Sequence, residues 1–378
     1  MFEIKNPVSI FFAIIGSIFI LFSSCDRNPS SQFLIQGEFD DYGGEEISLM
    51  HQVGNEWEVV DKVILDQEGK FLFSGQLDMP EFVYLVTNEN KDFVRFFLEN
   101  NNINVKVTKG SKLNEAQISG SRLQVKFEEY NRIDRLEYFD SLYTVYKKWN
   151  EANAGGDAVL AWELDSIRQV VYNQRIAYNI DFIKDNSDNI LAPFILNLVF
   201  QTLDTSQVIS LINTFDPSID KSIYTKQLKK KIDALRAIEP GKPFINFSLP
   251  DSTGKLTKLS ELINRGNYLV LDFWATWSGS SLLETENKKE LYSQYYDKGF
   301  ELVSVSLDND LNKWKKNIEE LRMPWLQLID LKGPRGETAT NYYITGLPIK
   351  YIYDPEGNLI ARVQSDEELK EELKVIFD

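Results

Sequence analysis

The chain has 378 residues, 57 acidic against 41 basic side chains for a formal net charge of −16, one cysteine (Cys25) and one histidine (His51). That charge balance disfavours nucleic acid and anionic lipid surfaces as partners, since both repel an acidic face. The single cysteine and histidine exclude an intramolecular disulfide and a Cys/His zinc site, and a serine–histidine triad would have to recruit His51, which sits in a strand-like stretch, as a surface residue, far from any candidate nucleophile.

Residues 1–24 read as an export leader. Lys5 supplies a positive start, and Ile10 to Phe22 is an apolar run of thirteen residues, the length of a signal-peptide core and short for a membrane span. Ser23 and Ser24 then stand directly before Cys25. The pattern resembles a bacterial lipoprotein signal, which implies cleavage before Cys25 and lipidation of its sulfur. Residues 25–32 become the lipidated cysteine and a polar tether. The expected location is the cell envelope, lipid-anchored and facing the periplasm, with the membrane held through Cys25 and no thiol left free.

Residues 33–120 alternate short apolar runs with turn residues such as Gly43-Gly44, Gly54-Asn55 and Met79-Pro80, which predicts an antiparallel β-sandwich. No polar cluster there looks catalytic. At "SGSRLQ" the character changes, and residues 121–238 predict a helical region. Phe127, Tyr130 and Ile133 recur at helical spacing, as do Phe139, Leu142, Tyr143 and Tyr146. Gly155-Gly156 breaks the first long helix, a second runs from about Ala158 to Lys184, and further patterns cover "APFILNLVFQTL", Ser206 to Phe215 and Ile223 to Leu235.

Pro240 and Gly241 open the third section, residues 239–378. A short hairpin turns at Asp251 to Gly254. "YLVLDFWA" and "GFELVSVSL" are continuous apolar runs, hence strands buried on both faces. Helices are predicted from about Ser281 to Tyr296, over "DLNKWKKNIEEL" and over "DEELKEELKVIF", and "PIKYIYD" with "LIARV" forms a closing strand pair. Strands alternating with helices and ending in a hairpin give an α/β sheet of mixed direction.

"VLDFWATWSGSS", followed by "ITGLPIKYIYDPEGNLIARV", resembles thioredoxin-like proteins of the TlpA/ResA and AhpC/TSA type, and the sections before it resemble the N-terminal region of their lipid-anchored versions. The resemblance implies a multidomain protein with a thioredoxin-like C-terminal fold. The family's chemistry lies in W-C-x-x-C. Here the tryptophan is Trp277, the cysteine positions fall on Ser278 and Ser281, and Gly279-Ser280 stands between them. Leu282 replaces the usual basic residue and Glu286 the usual proline. Glu284 matches a retained acid, Asp272 the buried strand acid that handles protons for the resolving thiol, and Pro348, after Leu347, the cis-proline facing the redox pair.

Thiol exchange needs a thiolate that forms a mixed disulfide, and a serine hydroxyl forms no such bond. Without a positioned base it is no nucleophile either. The residues therefore predict a redox-inactive, cofactor-free envelope protein that binds peptides or proteins as a scaffold, with no confirmed catalytic residue. The candidate groove is lined by Trp274, Trp277, Leu347 and Pro348. The opposing reading is that these four only pack the loop. Family resemblance by itself implies the alternative function, a thiol-disulfide oxidoreductase or antioxidant, and a third reading makes the β region a small-ligand binder. Asp272, lacking a thiol, is expected to titrate high through desolvation or to hydrogen-bond Ser281.

Overall fold

Apolar residues at every second position set the first strands, because alternate side chains reach opposite faces. Phe33, Ile35 and Phe39 are buried in β1 (Phe33–Phe39), Phe71 and Phe73 in β4 (Lys70–Gly75), and Ile103, Val105 and Val107 in β7 (Asn102–Val107). Between them run β2 (Glu46–Val53), β3 (Glu56–Ile64), β5 (Glu81–Thr87) and β6 (Phe93–Leu98), and β8 (Gln117–Ser119) follows. This computed structural model describes residues 32–53, 56–87, 92–263 and 266–378. The leader at 1–24, Cys25 and all of the tether but Gln32 lie outside the described residues.

The strands form two four-stranded sheets, ordered β4-β1-β7-β8 and β3-β2-β5-β6. Both contribute to one core, with Ile35, Phe39 and Phe73 from the first and Ile47, Leu85 and Phe96 from the second. The wholly antiparallel expectation is corrected at one place. β1 lies between β4 and β7 and pairs with β7 in parallel, Ile35 opposite Ile103. The repeated apolar alternation identifies strands but carries no direction, so this pairing could not be read from it.

The Ser119-Gly120-Ser121 junction has a physical reason. Gly120 adopts φ +96°, and a Cβ there would stand 1.9 Å from the Asn102 carbonyl oxygen. Ser121 then caps α1 (Arg122–Ile133), accepting from the Gln124 amide at 3.0 Å and donating to Glu99 Oε2 at 2.7 Å. A π-helical turn over 134–139 carries α1 without a break into α2 (Asp140–Ala154). Gly156, at φ +75°, reverses the chain into α3 (Ala158–Asp185). There follow α4 (Leu191–Val199), α5 (Thr205–Ile212) and α6 (Ile223–Ala237). Among the described residues no helix is long and apolar enough to cross a membrane.

The helical region is riveted to the second sheet by rings. Phe82 and Phe97 pack against Phe127, Phe194 and Tyr224, with centroids 4.9–5.6 Å apart along the contacts among Phe82, Phe97, Phe127 and Phe194, and the Tyr224 hydroxyl accepts from the Phe82 amide at 2.6 Å.

The third section opens on the hairpin β9 (Ser248–Pro250) and β10 (Leu256–Lys258). Its main sheet joins β11 (Tyr268–Trp274), β12 (Phe300–Ser306), β13 (Leu326–Ile329), β14 (Ile349–Tyr353) and β15 (Leu359–Val363) in the order β13-β12-β11-β14-β15. β11, β12 and β13 run parallel, and β14 is antiparallel to both neighbours. The single long helix predicted after β11 is divided at Glu284 into α7 (Gly279–Leu283) and α8 (Thr285–Tyr295). α9 (Leu311–Leu321), α10 (Glu337–Asn341) and α11 (Asp366–Phe377) complete the section. The sequence reading assigned neither β13, only four residues long, nor α10, a single turn and a half.

Candidate functional site

The register of the central strands builds the site. Asp272 of β11 faces Ser304 of β12 on one side and Lys350 of β14 on the other. Residues opposite one another in a sheet share a face, so these three side chains converge beneath α7 and α8. Lys288 reaches down from α8, its Nζ 2.8 Å from Asp272 Oδ2, and the Ser304 hydroxyl donates to the same oxygen at 2.7 Å. Trp325 Nε1 donates to Ser304 Oγ at 2.8 Å. Lys350 Nζ lies 2.7 Å from Glu284 Oε2 and 3.0 Å from Asp366 Oδ1.

Five ionisable groups thus share one buried region, two cationic and three acidic, and only Glu284 keeps partial exposure. Burial by itself raises the Asp272 carboxyl. Lys288 and Lys350, with the bonds from Lys288 and Ser304, outweigh it and hold the group below its ordinary value. Burial likewise depresses the Lys350 ammonium, and Asp272, Asp366 and Glu284 reverse the sign and raise it. Asp366 is pushed up to about 6, chiefly by burial, against the pull of Lys350 and with a further push from Glu284. The expectation that Asp272 titrates high or bonds Ser281 is therefore corrected: an ion pair with Lys288 takes the place of both. Lys288 and Lys350 fall only within a predicted helix and a predicted strand, and nothing local in the sequence marks them as partners of Asp272.

Above this network the chain leaves β11 through Ala275-Thr276. Thr276 is fixed by Asp308, which accepts from its amide at 3.0 Å and its hydroxyl at 2.6 Å. Trp277 is 54% exposed, and Ser278 begins α7 as its cap. The Ser281 hydroxyl donates to Ser278 Oγ at 2.8 Å, and the Ser281 amide points at the same oxygen at 3.4 Å. Ser280 Oγ, 3.3 Å from Ser278 Oγ, also donates to the Leu347 carbonyl at 3.3 Å. That bond makes the three serines and the proline loop neighbours, and the Leu347–Pro348 peptide is cis. The sequence reading gave Ser280 no role.

Trp274 belongs elsewhere. It is fully buried against Trp314 and Ile329, with Leu282 packed alongside, and cannot line a surface groove. Pro348 is buried and Leu347 half-buried, so the exposed apolar element at the serines is Trp277, with Leu283 one turn away. His51, expected at the surface, is half-buried on β2 with Nδ1 2.6 Å from Glu81 Oε2.

Comparison with known proteins matches two separate stretches of the chain. A domain of unknown function (DUF4369) matches residues 33–127, and the AhpC/TSA family matches residues 240–362. Thiol-disulfide oxidoreductase ResA of Bacillus thuringiensis is 31% identical over 142 residues, which is 37% of this chain and 79% of that protein. The chain belongs to the ResA-like AhpC/TSA family. ResA of Oceanobacillus iheyensis is 33% identical over 107 residues, 28% of this AhpC/TSA chain and 53% of its own. Among solved structures, a thiol-disulfide oxidoreductase from Bacteroides fragilis is 34% identical with a TM-score of 0.34, covering 36% of this AhpC/TSA chain and 99% of its own.

Proposed function

We propose that this AhpC/TSA protein retains the client-binding half of its family's chemistry and lacks the electron-transfer half. The observation that carries the reading is the Ser278–Ser281 pair. Two hydroxyl oxygens 2.8 Å apart stand at the head of α7 beside Pro348, where the resemblance puts two sulfurs. Oxygen at these positions forms no mixed disulfide, and the sequence's one cysteine, Cys25, lies far from them along the chain. Trp277 and Leu347 would contact an extended peptide, and backbone groups of the proline loop would pair with it by strand addition. Packing of the two N-terminal sheets as a sandwich, lipidation at Cys25 and an envelope location belong to the same reading, supported by the shared core and the leader pattern.

A second reading is favoured by the relatives, whose thiol-disulfide oxidoreductase activity supports it more directly than it supports the first. It makes the chain a thiol-disulfide oxidoreductase like its relatives. Insulin reduction by dithiothreitol separates the two. Purified protein is expected to leave the rate at background, and acceleration above a heat-inactivated control would establish the second reading. In the Ser278→Cys, Ser281→Cys variant we expect two thiols that close on oxidation and reopen with dithiothreitol, because the two side chains already face each other and a disulfide needs a Cβ separation of about 3.5–4.5 Å. Thiols that stay free under mild oxidant would show that this loop no longer fits the family's redox shape.

A further inference from the structure

A cleft of about 1430 Å³ opens where the three sections meet, away from the serine pair. Its size exceeds the roughly 300–1,000 Å³ of a site for one small molecule. In a chain of net charge −16 its lining is cationic: Arg95 of β6, Lys230 and Lys231 of α6, and Lys332 and Arg335 ahead of α10, against Glu337. Among the described residues no carboxylate forms an ion pair with any of these five cations. They stand on three separate elements, which suits several negative charges spread along a ligand better than one point anion.

Lys231 is the sharpest of them. Its ammonium is half-buried, 5.0 Å over the Phe200 ring and 3.5 Å from the Asn197 carbonyl oxygen, and burial lowers its pKa. Desolvating a cation without a carboxylate is unfavourable, and an arriving anion would offset that cost. Asn197 lines the same wall. Its side-chain amide donates to the carbonyls of Pro193 and Tyr224 at 2.8 and 2.9 Å, while its Oδ1 is buried and has no hydrogen-bond partner among the described residues. The wall thus presents one unmatched cation, and the rings of Trp57, Tyr84, Phe127 and Phe194 line the same cleft. A peptide supplies carboxylates for the cations and apolar side chains for the rings.

We infer that this cleft binds an extended acidic peptide segment, glutamate- or aspartate-rich with interspersed aromatic residues, of a partner protein. The site would also be in touch with the proline loop. Tyr343, in the left-handed region at φ 48°, and Thr345 line the cleft, and Thr345 lies two residues before Leu347. The inference goes beyond the client reading and does not need it, because no serine takes part.

The test is fluorescence anisotropy with the full chain and a fluorescein-labelled peptide of alternating glutamate and phenylalanine. The expected result is saturable binding that weakens as salt rises. Binding should fall about ten-fold or more in the Lys230→Glu, Arg335→Glu variant, whose exposed positions leave the circular dichroism unchanged. The Lys147→Glu, Lys148→Glu variant, a charge reversal of the same size at exposed positions of α2 outside the cleft, should bind like the wild type. Four results would overturn the inference: no binding by the full chain, equal binding of the peptide with lysine in place of glutamate, indifference to the charge reversal, or displacement by inorganic phosphate at low millimolar concentration. An equal loss in the Lys147→Glu, Lys148→Glu control would be a fifth, since it would make the effect one of net charge alone.

Discussion

Asp272 and Asp366 are two aspartates of one buried cluster with opposite signs, and the difference lies in their neighbours. Asp272 is bracketed by Lys288 and Lys350, so its charged form wins despite complete burial. Asp366 is desolvated by burial and shares Lys350 with Glu284, so its carboxyl is raised to about 6. With Asp366 protonated the cluster holds two cations and two anions. For Asp366 the folded value, about 6, exceeds its ordinary 3.8, so stability is highest below 3.8 and is lost as pH rises through 6. Asp272 has the reverse sign and loses stability only as pH falls below the ordinary carboxylate range. Asp366→Asn should therefore flatten the fall in thermal midpoint between pH 4.5 and pH 7.5, removing a term on the order of 2–3 kcal/mol. Parallel slopes for wild type and variant would show that Asp366 ionises freely. None of this was legible from the residues. Asp272 stood out through a motif, but Lys288, Lys350 and Asp366 come from α8, β14 and α11, and only the sheet register together with the packing of the two helices on the sheet brings them together.

Elements were more readable than their joints. The leading helices, β11, β12 and the closing hairpin follow from apolar patterning and turn residues, because each is long enough for burial to leave a mark, a helical period in the helices and a continuous apolar run in the central strands. The π-helical turn over 134–139 leaves the three- and four-residue apolar spacing nearly intact, so the pattern passes through it without a mark. Gly120 is a joint that the sequence did mark, as the centre of the residues closing the β region. Gly120→Ala puts a side chain in left-handed backbone and against the Asn102 carbonyl, and should cost at least about 1–3 kcal/mol in urea unfolding. A loss below about 0.5 kcal/mol would mean that the turn yields. The same change at Gly156, equally left-handed but with nothing within 4 Å of the added Cβ, serves as the control.

Across the whole molecule the three sections are joined by specific contacts. The Tyr224 hydroxyl accepts from the Phe82 amide inside a five-ring cluster, and burial pushes that phenol above its ordinary value. Tyr224→Phe keeps the ring and strands a buried amide, a change that should cost about 1–3 kcal/mol. Limited proteolysis is the matching measurement, with cleavage expected to speed up in the helical region that packs on the second sheet. Unchanged cleavage and stability would show that the rings alone hold the two sections together. Sequence composition anticipated three sections but not how they meet, since the walls of the cationic cleft come from residues more than two hundred positions apart. The clamped placement of β1 has a mechanical consequence. Six residues pair with β4 on one flank and six with β7 on the other. Tension drawn along the strand from Phe33 would have to shear both rows at once, whereas a border strand could be peeled one bond at a time. The domain is thereby suited to carry a tug from that end without unravelling.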